Sequence, residues 1–145
     1  MAESRLGEGV KAMKIWPFDQ FAPTLAGPAQ SRAPMTIWGA QSAAGVLGQR
    51  IETDDLKAGI AIVADIRRAA GDRMAIAIEG HARWGLPAAT RIARALEPYD
   101  ILWLEEIMPP DNVESYVRLK AETAIPICQS ERVFTRAARA RHAPA

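Results

Sequence analysis

The sequence predicts an α/β fold built on a parallel sheet, and three observations carry that expectation. Short apolar runs at Met74 to Ile78, Ile101 to Leu104 and Ile125 to Cys128 read as buried strands. Segments with helical spacing lie between them, and such alternation makes parallel neighbours joined by right-handed crossovers. The third observation is chemical. The runs MAIAIE, DILWLE and IPICQSE close on Glu79, Glu105 and Glu131, and both intervals are 26 residues.

Val10 to Trp16 (VKAMKIW) reads as the first strand, stopped by Pro17. The pattern then breaks down, and residues 18–52 read as one long loop containing Pro23, Pro28 and Pro34. A loop of that length is a functional lid, an insertion or a disordered segment. Its Phe18, Phe21 and Trp38 suit closure over something apolar, and a loosely packed surface insertion fits them equally. Thr53 is the expected N-cap of a helix with Asp54 and Asp55 in its first turn, where negative charge suits the helix dipole. Leu56, Ile60 and Val63 keep helical spacing, Arg67 and Arg68 fall in the last turn, and Gly71 is a natural stop. Pro87 suits the first turn of a second helix, with Ala88, Ile92, Ala95 and Leu96 on one face. Asp111 with Glu114 resembles a capping box ahead of a third helix carrying Val113, Tyr116 and Val117. Met13, Met74 and Trp103 are expected in the core, and Cys128 is expected to be a small buried hydrophobe.

Composition narrows the function classes. The 145 residues suit one domain or a fragment of one, and the formal net charge of +1 gives no basic field for nucleic acid. No apolar run approaches the length of a membrane span. One cysteine excludes an internal disulfide and a thiolate zinc cage, and it fits a reducing cytoplasm, the expected location.

Ligands of parallel α/β folds sit at the carboxyl ends of strands. Neighbouring strands lie about 4.8 Å apart, so acids at equivalent strand ends gather on one rim. Glu79, Glu105 and Glu131 are therefore candidate metal ligands, and an oxygen-only set favours Mg²⁺. His81, two residues beyond Glu79, points to the same face if the chain stays extended and is a candidate general acid or base. Lys14 is placed to neutralise charge developing on a substrate oxygen. Arg83 and Arg132 carry the donor fork that binds a carboxylate, and Trp16 and Trp84 are candidate pocket walls.

The stretches GVKAMKIWPFD, AIEGHARW, ALEPYDILWLEE and IPICQSERVFTR occur in this order. Together they resemble the barrel domain of the enolase superfamily, in its mandelate racemase and muconate-lactonizing branch. The resemblance implies a partial (β/α) TIM-like barrel over residues 1–136, holding about strands 2–5 of the family barrel. It implies that Glu79, Glu105 and Glu131 correspond to three Mg²⁺ ligands. It also implies a small-molecule carboxylate substrate whose α-proton is abstracted while the metal stabilises the enediolate. A homo-oligomer is expected of the intact protein.

Departures from the family pattern sharpen the expectation. Trp16 stands where the racemases carry a second lysine, and Glu79 stands where the first ligand is commonly Asp. Ser130 replaces a Gly, and Ile107 a Pro. His81, with the long loop, resembles the sugar-acid dehydratases, in which this histidine protonates the departing hydroxyl. The expected function is thus a Mg²⁺-dependent lyase that dehydrates a sugar acid. A racemase or cycloisomerase of the same superfamily, or an inactive metal-binding remnant, is the alternative. The Asp–His base of later family strands has no counterpart in this sequence, and His142 is not assigned that role. Residues 137–145 read as an aberrant or disordered tail, suggesting truncation and two exposed sheet edges.

Overall fold

In the computed structural model, which describes residues 2–22, 48, 50–129 and 131–133, four parallel strands lie side by side in chain order. They are β1 (Ala12–Ile15), β2 (Ala75–Glu79), β3 (Ile101–Glu105) and β4 (Ile127–Cys128). Helices α2 (Thr53–Ala70), α3 (Leu86–Leu96) and α4 (Val113–Glu122) make the crossovers, and a short α1 (Ala2–Gly7) precedes β1. The predicted α/β order of strands and helices is observed. The six-residue α1 carries no helical period long enough to read, and its buried Ala2 packs with Ala70 and Met74.

Alternation along each strand divides the sheet into two faces. Ile76, Ile78 and Leu104 turn to the helices and are fully buried, each stabilising the fold by about 1.5–3 kcal/mol. Helix α3 meets them with Ala89, Ile92, Ala93 and Leu96; Ala93, not Ala95, completes its buried stripe. On α4 the buried positions are Tyr116 and Leu119, whereas Val117 is exposed. The other face of the sheet carries Lys14, Ala77, Glu79, Trp103 and Glu105, and register places Lys14 beside Ala77 and Ala77 beside Trp103.

Two helix starts differ from expectation by one residue. Glu52 is the N-cap of α2, and Thr53 is its first helical residue, its hydroxyl accepting from Arg91 Nη2 at 2.9 Å. Asn112 caps α4, with Oδ1 accepting the Ser115 N–H at 3.1 Å, so the Asp111–Glu114 box does not form. Arg67 does more than complement a helix dipole. Its guanidinium donates to the carbonyls of Gly71, Met74, Tyr99 and Asp100, tying the end of α2 to the segments that enter β2 and β3.

The beginning of the predicted long loop is ordered structure. Phe18 is fully buried, Asp19–Phe21 form a 3₁₀ turn, and Ile51 is buried at the far end. Residues 23–47, with Trp38, lie outside the described residues, as do Ser130, His142 and the 137–145 tail. No helix among the described residues is long and apolar enough to cross a membrane.

Candidate metal centre

Glu79 and Glu105 end β2 and β3 and are paired in register. The register partner of Glu105 on β4 is Cys128, so Glu131 lies three residues past the strand end, in a turn. The even spacing of 26 therefore does not mark three equivalent strand positions. It is the turn after β4 that brings Glu131 back, and one carboxylate oxygen from each of the three glutamates lies within 4.8 Å of the others. Glu79 is buried, Glu105 is partly buried and Glu131 is exposed, which grades the rim from interior to solvent.

Lys14 stands among them. Its Nζ donates to Glu79 Oε2 at 2.8 Å and to Glu105 Oε1 at 2.9 Å. Burial works against the ammonium, but these two bonds outweigh it and hold its pKa above the ordinary lysine value. The second oxygen of Glu105 accepts from Trp103 Nε1 at 2.9 Å. Burial would raise the Glu105 pKa, yet the Lys14 and Trp103 bonds lower it below the ordinary carboxylate value. Trp103 thus lies on the carboxylate face instead of in the helix-side core, because Trp103 and Glu105, two apart on a strand, share a face. Cys128 is half-buried, and burial and then Glu105 push its pKa up, which disfavours a thiolate.

The loop after β2 carries the histidine. Gly80 N–H donates to the Glu105 carbonyl, Ala82 N–H to Glu106, and Trp84 N–H to Ile107, so the loop continues to pair with the chain after β3. A Cβ at Gly80 would come 2.6 Å from Ile107 Cα, so only glycine allows this approach. His81 and Ala82 have φ of 47° and 57°, a conformation costly for side-chain residues unless neighbours hold it. The His81 N–H donates to Glu79 Oε1 at 3.1 Å, and its Nδ1 lies 2.5 Å from Asp19 Oδ2. That Asp19 bond raises the His81 pKa, against the effect of burial. The Trp16 ring is 41% exposed and stands edge-on to the imidazole at 5.9 Å between centroids.

The two arginines are differently engaged. Arg83 is mostly buried, with Nε 3.1 Å from Asp19 Oδ2. Arg132 is more exposed; its Nε lies 3.8 Å from both Glu106 Oε2 and Glu131 Oε1, and Nη2 reaches the His81 carbonyl at 3.4 Å. Trp84 is fully buried, so it is core and not a pocket wall. Two buried acids beside the site escaped the sequence reading, Asp19 and Glu106. Glu106 adjoins Glu105, which was a signal of a kind; Asp19 is 62 residues from His81, and no spacing rule links them.

The donor set suits a hard divalent cation: three carboxylates, with oxygen the only ligand atom offered. The groups that Lys14 already bridges are the ones a cation would neutralise.

The chain is similar to known proteins of one family. The family described as Enolase C-terminal domain-like matches residues 1–145. The D-galactonate dehydratase of Ralstonia nicotianae is 43% identical over 79 residues, covering 54% of this chain and 21% of that protein. That of Xanthomonas oryzae pv. oryzae is 40% identical over the same shares. The chain thus spans about a fifth of the length of the curated relatives it matches. Among solved structures, an enolase of the mandelate racemase subgroup from Agrobacterium tumefaciens aligns with TM-score 0.75 and 36% identity, over 96% of this chain and 32% of that one. A mandelate racemase/muconate lactonizing enzyme-like protein from Roseovarius sp. aligns with TM-score 0.74 and 28% identity, over 97% and 30%.

Proposed function

The chain belongs to the Enolase C-terminal domain-like family, and on that premise we propose that it is part of a Mg²⁺-dependent lyase that dehydrates a sugar acid. The observation that carries the reading is the convergence of Glu79, Glu105 and Glu131 within 4.8 Å, with Lys14 bonded to two of them and His81 beside them. The D-galactonate dehydratases among its relatives support a sugar acid as the substrate class.

Glu79, Glu105 and Glu131 are the residues that would hold Mg²⁺. Bound there, the ion supplies stabilisation for negative charge developing on a substrate carboxylate. Lys14 adds a second positive charge on the same side and orients the substrate oxygen it touches. In the reaction a base takes the α-proton, the β C–O bond breaks, and the oxygen leaves as water with a proton from His81. The resulting enol becomes a 2-keto acid. No described residue is assigned as the base. Trp16 forms an edge of the pocket next to His81. Arg132 is the arginine available to a substrate carboxylate, since Arg83 is engaged with Asp19.

Calorimetric titration with Mg²⁺, followed by NMR of aldonic and aldaric acids incubated with the chain in D₂O, tests the reading. Mg²⁺ binding that Glu105→Gln abolishes is expected, together with Mg²⁺-dependent line broadening of one acid. With no base assigned among the described residues, this chain by itself is expected neither to exchange the α-proton nor to release the β-hydroxyl. Metal binding with no broadening of any acid favours a non-catalytic metal-binding role. Mg²⁺ binding that is absent, or indifferent to Glu105→Gln, sinks the proposal.

A further inference from the structure

Asp19 has no place in the metal centre, yet it is among the most buried acids in the molecule, its side chain only 1% exposed. A buried carboxylate is costly unless charge and hydrogen bonds compensate it. Here the compensation comes from two residues of one loop: His81 Nδ1 at 2.5 Å and Arg83 Nε at 3.1 Å, both against Oδ2. Asp19 Oδ1 is buried without a hydrogen-bond partner among the described residues. The carboxylate is therefore not oriented to maximise its own bonds. It is oriented to place Oδ2 between the imidazole and the guanidinium.

The anchoring of Asp19 is independent of the histidine. Phe18 beside it is fully buried against Gly59 of α2, and the Ala22 N–H donates to the Asp19 carbonyl at 3.2 Å. On the other side, the His81 backbone is fixed by its N–H bond to Glu79 Oε1. The ring is thus held at Nδ1 by one element and its main chain by another. A histidine fixed at one ring nitrogen presents the other, and the tautomer follows the bond that is made.

We infer that Asp19 is the positioning residue for His81, taking the Nδ1–H so that Nε2 is the nitrogen that hands a proton to the substrate. This inference rests on the dehydratase reading above for its chemistry. When the acid acts, the Nε2–H bond breaks and the proton joins the departing oxygen, while the Nδ1–H stays on the ring, bonded to Asp19. No oxidation state changes. Asp19 itself never meets the substrate, and Arg83 completes the arrangement by balancing the charge of the carboxylate.

The test reads the ring and not turnover, so it can fail while the dehydratase reading survives, and the reverse. The full 145-residue chain has two histidines, so ¹⁵N-histidine labelling gives two imidazoles, and His81→Gln assigns them. At a pH where both rings are neutral, the Nδ1-protonated form of His81 is expected to dominate in the unsubstituted chain. In Asp19→Ala it becomes the minor form, with the backbone amide spectrum of the sheet unchanged. If Asp19→Ala does not fold, the near-isosteric Asp19→Asn is read instead. There the Nδ1 proton resonance moves upfield, because the bond to a charged acceptor is lost. An unsubstituted chain whose His81 carries its proton on Nε2, or a ring unchanged by loss of the Asp19 carboxylate, overturns the inference.

Discussion

Glu79 and Glu105 face each other in register across β2 and β3, and the Lys14 ammonium bonds to both, at 2.8 and 2.9 Å. Like charges placed opposite on neighbouring strands destabilise a sheet. The lysine on β1 removes that repulsion in the chain without metal. A divalent cation held by the same two carboxylates and Glu131 would remove it in another way, which makes the stability of this sheet edge depend on which cation is present.

Lys14→Met is therefore expected to cost about 1–2 kcal/mol in metal-free buffer, between the values for exposed and buried pairs, because Lys14 is 39% exposed. Saturating Mg²⁺ recovers most of that loss. Urea denaturation of both chains, with EDTA and with Mg²⁺, checks it; equal losses in the two buffers would contradict a shared role for the two cations.

The acid limb of the stability profile belongs partly to Glu105. Its pKa in the folded chain lies below the ordinary 4.5, the opposing effect of burial being outweighed by Lys14 and Trp103. A depressed carboxylate contributes stability that is present above the unfolded value and lost as pH falls through the folded one. Trp103→Phe removes one donor and moves the folded pKa back towards the unfolded one, so the variant loses less stability on acidification and that loss is complete at a higher pH. Denaturation midpoints from pH 3 to 6 (roughly the window bracketing a carboxylate of this kind) are the measurement, read as the difference between the two chains.

Gly59→Ala tests the anchoring of the loop after β1. An exposed helix would gain about 1 kcal/mol from the change. Here the new Cβ would lie 2.4 Å from two atoms of the Phe18 ring, which is fully buried and has nowhere to retreat. Overpacking of this kind costs about 1–3 kcal/mol, so a net loss is expected. Phe18→Leu in the same chain relieves part of it, and a double-mutant cycle measures the coupling.

Arg67→Met removes a guanidinium that donates to four backbone carbonyls, three of them (Met74, Tyr99 and Asp100) in the segments entering β2 and β3. A loss of about 2–4 kcal/mol is expected from thermal or urea unfolding, because partly buried acceptors are left unpaired. Arg67→Lys recovers only a fraction, since one ammonium cannot reach carbonyls on several sides.

The sequence by itself determined the strand and helix order, the parallel sheet and the faces of most helices. These are short-range properties: an apolar run, a period of 3.6, a proline or glycine at an element end. It also determined that Glu79 and Glu105 end neighbouring strands, because strand ends are local. Tertiary structure decided everything that depends on chains meeting. Glu131 joins the other two through the turn after β4, not through equal spacing, since Cys128 is the residue level with Glu105. Trp103 follows from local alternation, since it lies two residues before Glu105 on one strand and so shares its face; what register adds is that Ala77 of β2 stands beside it. Asp19 reaches His81 across 62 residues. A contact of that kind is fixed by the packing of Phe18 on α2 and by the left-handed turn at His81, and neither leaves a mark in the local pattern of residues.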